Sequence, residues 1–209
     1  MDAQKIETYR SLKACLDFHG HICPGLSIGY KASILAIELL REQRAEDEEL
    51  VAIVENDSCF VDAVQVITGC TFGKGNLLYR DYGKMAFTLA SRRTRKGIRV
   101  SLREEFSFTQ GRRDFMDLFE KILQGSATEE ERRHFREIQS ERAERILSMH
   151  PDSLFRTKEV EVELPEMARL IESENCDRCG ELTMKTKMVE CSGKRLCKPC
   201  AIEVERCGR

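Results

Sequence analysis

Residues 50–69, LVAIVENDSCFVDAVQVITG, change their hydrophobic pattern midway. LVAIVE (50–55) is a run rich in β-branched residues, which indicates a buried strand. Asn56 and Asp57 then supply side chains that favour a helix start, and SCFVDAVQVITG returns to helical spacing. The stretch therefore predicts a strand followed directly by a helix, with polar and thiol groups at the junction.

Helices are expected on the N-terminal side of this strand. Residues 1–22 carry an apolar stripe at helical spacing that runs into a turn at His19-Gly20-His21. Pro24 is tolerated in a first helical turn, where its missing N–H has no partner in any case. GLSIGYKASILAIELLRE (25–42) continues that second helix with a strong apolar stripe.

Strands and helices follow in blocks on the C-terminal side. MAFTLASR (85–92) and GIRVSLRE (97–104) predict two antiparallel strands around a short basic turn. Helices are expected over 112–124 and 128–149, the latter mostly charged and either solvated or bridging to a partner chain, with the solvated face favoured. TKEVEVELP (157–165) alternates like a half-exposed strand, and a short helix, EMARLIES, should follow. The fold class is therefore α+β, a mixed helix and antiparallel-sheet core.

Composition excludes several classes of protein. No apolar run approaches the ~20 residues of a membrane span, and the first residues lack a secretory signal, so we expect a cytoplasmic protein. The net charge of -2 gives no overall basic field for nucleic acid. Ten cysteines in a reducing compartment favour metal ligation or thiol chemistry over disulfides.

The cysteines fall into two groups, which predicts a core domain over 1–164 and a small zinc-binding domain over 165–209. In the second group, two C-x-x-C pairs separated by 17 residues have the spacing of a closed four-cysteine zinc site. So short a segment cannot build its own hydrophobic core, and the metal would supply its folding free energy. The four expected ligands are Cys176, Cys179, Cys197 and Cys200. Cys15, Cys191 and Cys207 are expected to belong to neither the zinc site nor a functional pocket.

The N-terminal group contains a second constellation. His19, His21 and Cys23 lie within five residues, directly before a helix whose dipole should lower the pKa of the Cys23 thiol. Cys59, Asp62 and Gln65 follow the strand 50–55, at the end where ligands gather in open α/β sheets. These six residues therefore predict a functional pocket rather than a packed turn.

A glycine-rich loop over 68–76 is the third part of this prediction. Its spacing does not match a phosphate-binding loop, so nucleotide hydrolysis is not supported. Cys70 and Lys74 instead predict an anion- or carbonyl-binding loop, with an ordinary tight turn as the equally weighted alternative.

Four segments together resemble the family of the E subunit of formylmethanofuran dehydrogenase: FHGHICPGLSIGYKA (18–32), NDSCFVDAVQVITGCTFGKGN (56–76), GKMAF (83–87) and the terminal CxxCGE and LCxxC. The resemblance implies an α+β core, a treble-clef-like zinc finger and a homodimer. It does not transfer the dehydrogenase activity, because that subunit is an accessory one and this chain shows no molybdopterin or iron–sulfur motif. The positions that match the family motif are His19, His21, Cys23, Cys59, Asp62, Gln65, Cys70 and Lys74.

Two hypotheses follow, and whether the chain is an enzyme stays open between them. In the first, a metal- or thiol-dependent enzyme or accessory subunit acts on a small carbonyl or C1 compound. His19, His21 and Cys59 would then hold a second zinc or other transition ion, with Cys23 as fourth ligand or nucleophile. Asp62 would orient a histidine and Lys74 would clamp an anion. Gln65 and Cys70 would contact a cofactor.

In the second hypothesis the chain is a non-catalytic metal- or cofactor-binding module. Its finger would dock to a partner oxidoreductase or regulator. Nucleic-acid binding is the minority interpretation, because the basic residues of the finger are interleaved with acidic ones and no aromatic side chain accompanies them.

Overall fold

The computed structural model describes residues 12–104, 113–167 and 170–207. The chain divides into two units, 1–167 and 168–209, whereas the distribution of cysteines predicts a boundary between 164 and 165. Within the described residues, no helix combines the length and the apolarity that crossing a membrane requires.

A five-stranded mixed sheet forms the centre of the first unit, in the order β2-β1-β3-β4-β5. Only β1 and β2 are parallel, and every other neighbouring pair is antiparallel. β3 and β4 are joined by the basic turn, as the sequence predicts. The strands are β1 (Leu50–Val54), β2 (Leu77–Tyr79), β3 (Ala86–Ser91), β4 (Lys96–Leu102) and β5 (Phe155–Glu161).

Six helices accompany the sheet in the described part of this unit. They are α1 (Leu12–His19), α2 (Pro24–Leu40), α3 (Phe60–Thr68), α4 (Arg113–Leu123), α5 (Glu129–Ser148) and α6 (Pro151–Leu154). Pro24 opens α2, as expected from its missing N–H. Of the helix predicted over 1–22, the stretch 1–11 lies outside the described residues. The mixture of helices and sheet confirms the α+β class.

α2 and α3 cross at very short distance. A Cβ atom at Gly29 would lie 2.2 Å from the carbonyl oxygen of Phe60, and one at Gly25 would lie 3.2 Å from the Cβ of Cys59. Around this crossing the core is apolar and fully buried, including Leu26, Ile28, Ile37, Phe60, Ile67, Phe87 and Leu89. The absence of side chains at two α2 positions therefore lets the N-termini of both helices come together.

The charged helix α5 is less solvated than its composition predicts. Ile138, Ala143 and Ile146 are buried, so its narrow apolar stripe packs inward. The Lys31 ammonium on α2 also donates to the carbonyl oxygen of Leu147, 2.8 Å away, near the C-terminus of α5. Such a cation satisfies a carbonyl that no helical N–H can reach.

The described part of the second unit contains two hairpins, a 3₁₀ turn at Lys185–Lys187 and one α-helix. β6 (Ser173–Asn175) pairs with β7 (Leu182–Met184), and β8 (Met188–Cys191) pairs with β9 (Lys194–Cys197), which leads into α7 (Lys198–Cys207). The β8–β9 hairpin turns at Ser192 and Gly193, both at positive φ, as a two-residue hairpin requires. The helix predicted over 166–173 is wrong where it can be checked, because 170–172 are not helical and 173–175 pair with β7.

Replacing Gly29 by Ala should destabilise the first unit by about 2 kcal/mol or more, because the added methyl meets a backbone atom that cannot rotate away. Urea unfolding followed by circular dichroism measures the change. Gly73→Ala is the matched control, since nothing lies within 4 Å of its Cβ position and its φ is not left-handed. Equal midpoints for the two variants would contradict the tight crossing.

Candidate functional site

Three predicted site residues of the first unit form a compact cluster at the start of α2. The candidate ligand atoms of His19, His21 and Cys23 all lie within 4.8 Å of one another. The two imidazole rings are 4.5 Å apart between centroids. His19 ends α1, while Cys23 is the N-cap residue of α2, so a tight turn between two helices brings the three side chains together.

Asp62 on α3 holds one of these imidazoles in place. Its Oδ2 lies 2.7 Å from Nδ1 of His19, whose Nε2 lies 3.8 Å from the sulfur of Cys23. A carboxylate beside Nδ1 fixes the proton there and leaves the lone pair of Nε2 facing Cys23. The His19 side chain is only 11% exposed, so this orientation is also held by packing.

Cys59 adjoins this cluster without being part of it. It is the N-cap residue of α3, and it is close enough to Cys23 to raise the pKa of the Cys23 thiol. Cys59 does not belong to the set of ligand atoms that lie within 4.8 Å of one another in the described residues. The geometry therefore brings Cys23, rather than Cys59, next to both imidazoles.

Electrostatics at Cys23 differ from what the helix position predicts. Burial raises the pKa of the Cys23 thiol to about 11, and this outweighs the hydrogen bond from the Leu26 N–H, which lowers it. In contrast, burial and the neighbouring His19 lower the pKa of His21. At neutral pH these shifts favour a neutral His21 imidazole and a protonated Cys23 thiol, which disfavours Cys23 as a free thiolate nucleophile.

The turn between β1 and α3 is tied down by one buried amide. Asn56 Oδ1 accepts hydrogen bonds from the backbone N–H and the hydroxyl of Ser58, at 3.2 and 2.7 Å. Its Nδ2 donates to the carbonyl oxygen of Lys84 at 2.8 Å. Because Cys59 follows immediately, this turn positions the N-terminus of α3 relative to the sheet.

Two of the remaining predicted site residues, Cys70 and Lys74, lie at the opposite end of α3 from the cluster. Lys74 and Cys70 follow the C-terminus of α3, whereas Cys59 and Asp62 are at its N-terminus. The Lys74 ammonium donates to the carbonyl oxygens of Glu46 and Asp47 at 3.2 and 3.0 Å, so it braces a loop and clamps no anion at the cluster. Burial raises the pKa of the fully buried Cys70 thiol to about 11. The half-buried Gln65 makes no side-chain hydrogen bond within the described chain.

The second unit contains the four-cysteine cluster that the spacing predicts. The sulfur atoms of Cys176, Cys179, Cys197 and Cys200 lie within 4.8 Å of one another. The backbone N–H of Cys197 donates to the Cys176 sulfur at 3.3 Å, and backbone hydrogen bonds lower the pKa of Cys176 to about 6. Four converging sulfurs with amide donors form a group that can bind a metal. Four protein ligands would fill a tetrahedral coordination sphere and leave no coordination position open. The side chain of Cys207 lies outside the described residues.

One ion pair beside the site has no signal in the sequence. Arg99 on β4 donates from Nε and Nη2 to both carboxylate oxygens of Glu55, at 2.6 and 2.8 Å. Hydrogen bonding to Arg99 lowers the pKa of this buried carboxyl, and the charges of Arg99, Lys84 and Arg80 act in the same direction. The pair fixes the residue that follows β1, directly before the Asn56 turn.

Glu55→Gln should destabilise the first unit by about 2 kcal/mol at pH 7, because it breaks a charge-assisted bidentate contact. The folded pKa of Glu55 is lowered, so its contribution is present above the unfolded value of about 4.3 and lost as the pH falls through the folded value. The difference from wild type in urea should therefore shrink in acid. Asp17→Asn, which removes an exposed pair with Lys13, is the control and should change stability by no more than about 0.5 kcal/mol. A pH-independent difference would contradict the argument.

Comparisons with known proteins identify the family of this chain. Residues 18–156 match the family described as "FmdE, Molybdenum formylmethanofuran dehydrogenase operon". The crystal structure of an FmdE-like protein of the tungsten formylmethanofuran dehydrogenase type, from Syntrophus aciditrophicus, superposes with a TM-score of 0.60 and 27% identity, covering 93% of this chain and 91% of that one. A probable S-adenosyl-L-methionine-binding protein from Archaeoglobus fulgidus is 35% identical over 197 residues, which are 92% of this chain and 52% of the relative. The chain thus spans about half the length of that curated relative. With two thirds of its length matched by the family, this chain belongs to the FmdE family.

Proposed function

We propose that the first unit binds a transition metal ion through His19, His21 and Cys23, and that this centre takes a small carbonyl or C1 compound as its ligand. The observation that carries the proposal is the convergence of the three ligand atoms within 4.8 Å. Two imidazole nitrogens and a thiolate are a donor set that zinc and related ions accept. Cys23 takes the place of Cys59, the sulfur ligand expected from the sequence, because Cys23 lies beside both imidazoles.

The number of ligands distinguishes this centre from the four-cysteine one. Three protein ligands leave a fourth position for water or a small molecule, as in catalytic zinc sites. When bound, such an ion supplies a Lewis acid that polarises a carbonyl oxygen. His21 is exposed, so a ligand can approach from solvent on that side. Asp62, 2.7 Å from Nδ1 of His19, would keep the proton on that nitrogen and leave the lone pair of Nε2 available to an ion.

The protonation state of Cys23 supports ligation over a nucleophilic role. A thiol whose pKa lies near 11 is a poor nucleophile at neutral pH. Metal binding would displace its proton, and the buried thiolate would then be neutralised by the ion. In the second unit we assign the four-cysteine site to structural zinc, which would supply the folding free energy of a small unit with few buried apolar side chains.

Metal analysis of the purified full-length protein tests the proposal. We expect two metal equivalents per chain, one in His21→Ala, and one in the double variant Cys176→Ser, Cys197→Ser. His134→Ala removes an exposed histidine on α5 and is the matched control, which should keep both equivalents. A wild-type protein that holds one equivalent, lost entirely in the double cysteine variant, would overturn the proposed centre.

Asp62→Asn separates a ligand from an orienting group in the same experiment. The variant should still bind two equivalents of metal at saturation. The affinity of the N-terminal site for metal should fall by about 10- to 100-fold, because the His19 tautomer is no longer fixed. Competition with a chromophoric chelator measures that affinity. An unchanged affinity would show that Asp62 does not act through His19.

The second candidate function is binding of S-adenosyl-L-methionine. The observation that favours it is the relative from Archaeoglobus fulgidus, whose similarity extends over 92% of this chain. The amino and carboxylate groups of that ligand offer nitrogen and oxygen donors, which a metal with an open position accepts. About half of the relative has no counterpart here, so the experiment must decide which half carries its site.

Isothermal titration of the metal-loaded full-length chain with S-adenosyl-L-methionine tests this candidate. Saturable binding of one equivalent, abolished in His21→Ala and kept in His134→Ala, is the expected result. Titration with methionine alone shows whether the amino-acid end is sufficient. Absence of heat at millimolar ligand would assign the relative's site to the half that this chain does not match.

A further inference from the structure

Two thiols are neighbours at the N-terminal site, yet the proposed metal centre uses only one of them. Cys23 and Cys59 are the N-cap residues of α2 and α3, and Cys59 is close enough to raise the pKa of the Cys23 thiol. The helix crossing brings them together: Gly25, two residues after Cys23, approaches Cys59 so closely that a Cβ at Gly25 would lie 3.2 Å from the Cβ of Cys59. The other thiols of the described first unit, Cys15 and Cys70, are fully buried.

We propose that Cys23 and Cys59 form a reversible disulfide by exchange with a small-molecule disulfide, and that this oxidation removes the sulfur ligand from the N-terminal metal centre. The disulfide itself depends only on the two thiols. The consequence for the metal rests on the proposed function above.

Exposure decides which thiol reacts first. Cys59 is half-buried and reachable, whereas Cys23 is 7% exposed. The Cys59 thiolate attacks one sulfur of the small disulfide, whose S–S bond breaks and releases one thiolate. A mixed disulfide is left on Cys59. The protein has then formed one S–S bond, and one proton has left Cys59.

Cys23 is placed to complete the exchange. Its sulfur lies 3.8 Å from Nε2 of His19, which is free to take the thiol proton because Asp62 occupies Nδ1. The Cys23 sulfur attacks the Cys59 sulfur as its proton passes to His19, so no free Cys23 thiolate has to accumulate beforehand, and the second small thiolate leaves. Two protein thiols are oxidised to one disulfide, and one small disulfide is reduced to two thiols that take up the two protons.

Oxidation and metal binding should oppose each other. A disulfide sulfur carries no thiolate charge, so the oxidised site would retain only two imidazole ligands. Conversely, a metal that binds only the reduced protein lowers the tendency of Cys23 to oxidise. The same contact would thus couple thiol redox state to metal occupancy.

Peptide mapping of the metal-free full-length protein tests the disulfide. After incubation with oxidised glutathione, acid quenching and alkylation, trypsin releases residues 14–31, which contain Cys15 and Cys23, and residues 45–74, which contain Cys59 and Cys70. We expect a crosslink between these peptides that fragment ions place at Cys23 and Cys59. It should be absent from Cys59→Ser and present in Cys191→Ser, a half-buried control thiol outside both clusters. Glutathione on Cys59 without a crosslink would overturn the proposal.

Metal release is the second measurement. Oxidation of the metal-loaded protein should release the metal ion of the N-terminal site from wild type and leave that ion bound in Cys59→Ser. Equal loss from both proteins would overturn the coupling. If wild type never holds an N-terminal metal, the proposed function fails, and the peptide map still decides whether the two thiols pair.

Discussion

The close crossing of α2 and α3 is the constraint on which the N-terminal site depends. Gly29 leaves the space that the Phe60 carbonyl occupies, and Gly25 leaves the space beside Cys59. One helix contributes a cysteine at its N-cap and the other contributes Asp62 in its first turn. A wider separation would detach Asp62 from His19, and the imidazole would lose the partner that sets its tautomer.

The two sulfur-containing clusters differ in their surroundings, and this separates their roles. In the four-cysteine cluster, backbone N–H groups point at the sulfur of Cys176 and lower its pKa, while the neighbouring thiols raise the pKa of Cys200, so the backbone stabilises one thiolate of the four. At Cys23, burial dominates and raises the pKa, so under the proposed function the ion itself would have to stabilise the thiolate. Metal binding at Cys23 would then depend more strongly on pH than metal binding at Cys176.

The parts of the site that are local in the chain could be predicted from the sequence. The spacing of the terminal cysteines fixes their convergence, and the His19–Cys23 segment is short enough that a single turn brings its side chains together. Lys74 shows that closeness in sequence does not ensure closeness in space. Asp62 is in the first turn of the nine-residue α3 and Lys74 follows its C-terminus, so the helix separates them by about 1.5 Å for each helical residue between them. The contact of Glu55 with Arg99 joins residues that are 44 positions apart and depends on the order of strands in the sheet. The spacing of hydrophobic residues along the sequence does not predict that order.

The long segment between β4 and β5 leaves the sheet and re-enters it at neighbouring positions. Leu102 and Phe155 are register partners in the sheet, so the chain that holds α4, α5 and α6 begins and ends at adjacent points. Because the two ends of this segment are adjacent, its outer part can lengthen or shorten without shifting the strand register. The inner part of α5 has no such freedom, because Ile138, Ala143 and Ile146 are buried. Length variation among relatives should therefore concentrate at the distal tip of this excursion, away from the end that adjoins α2.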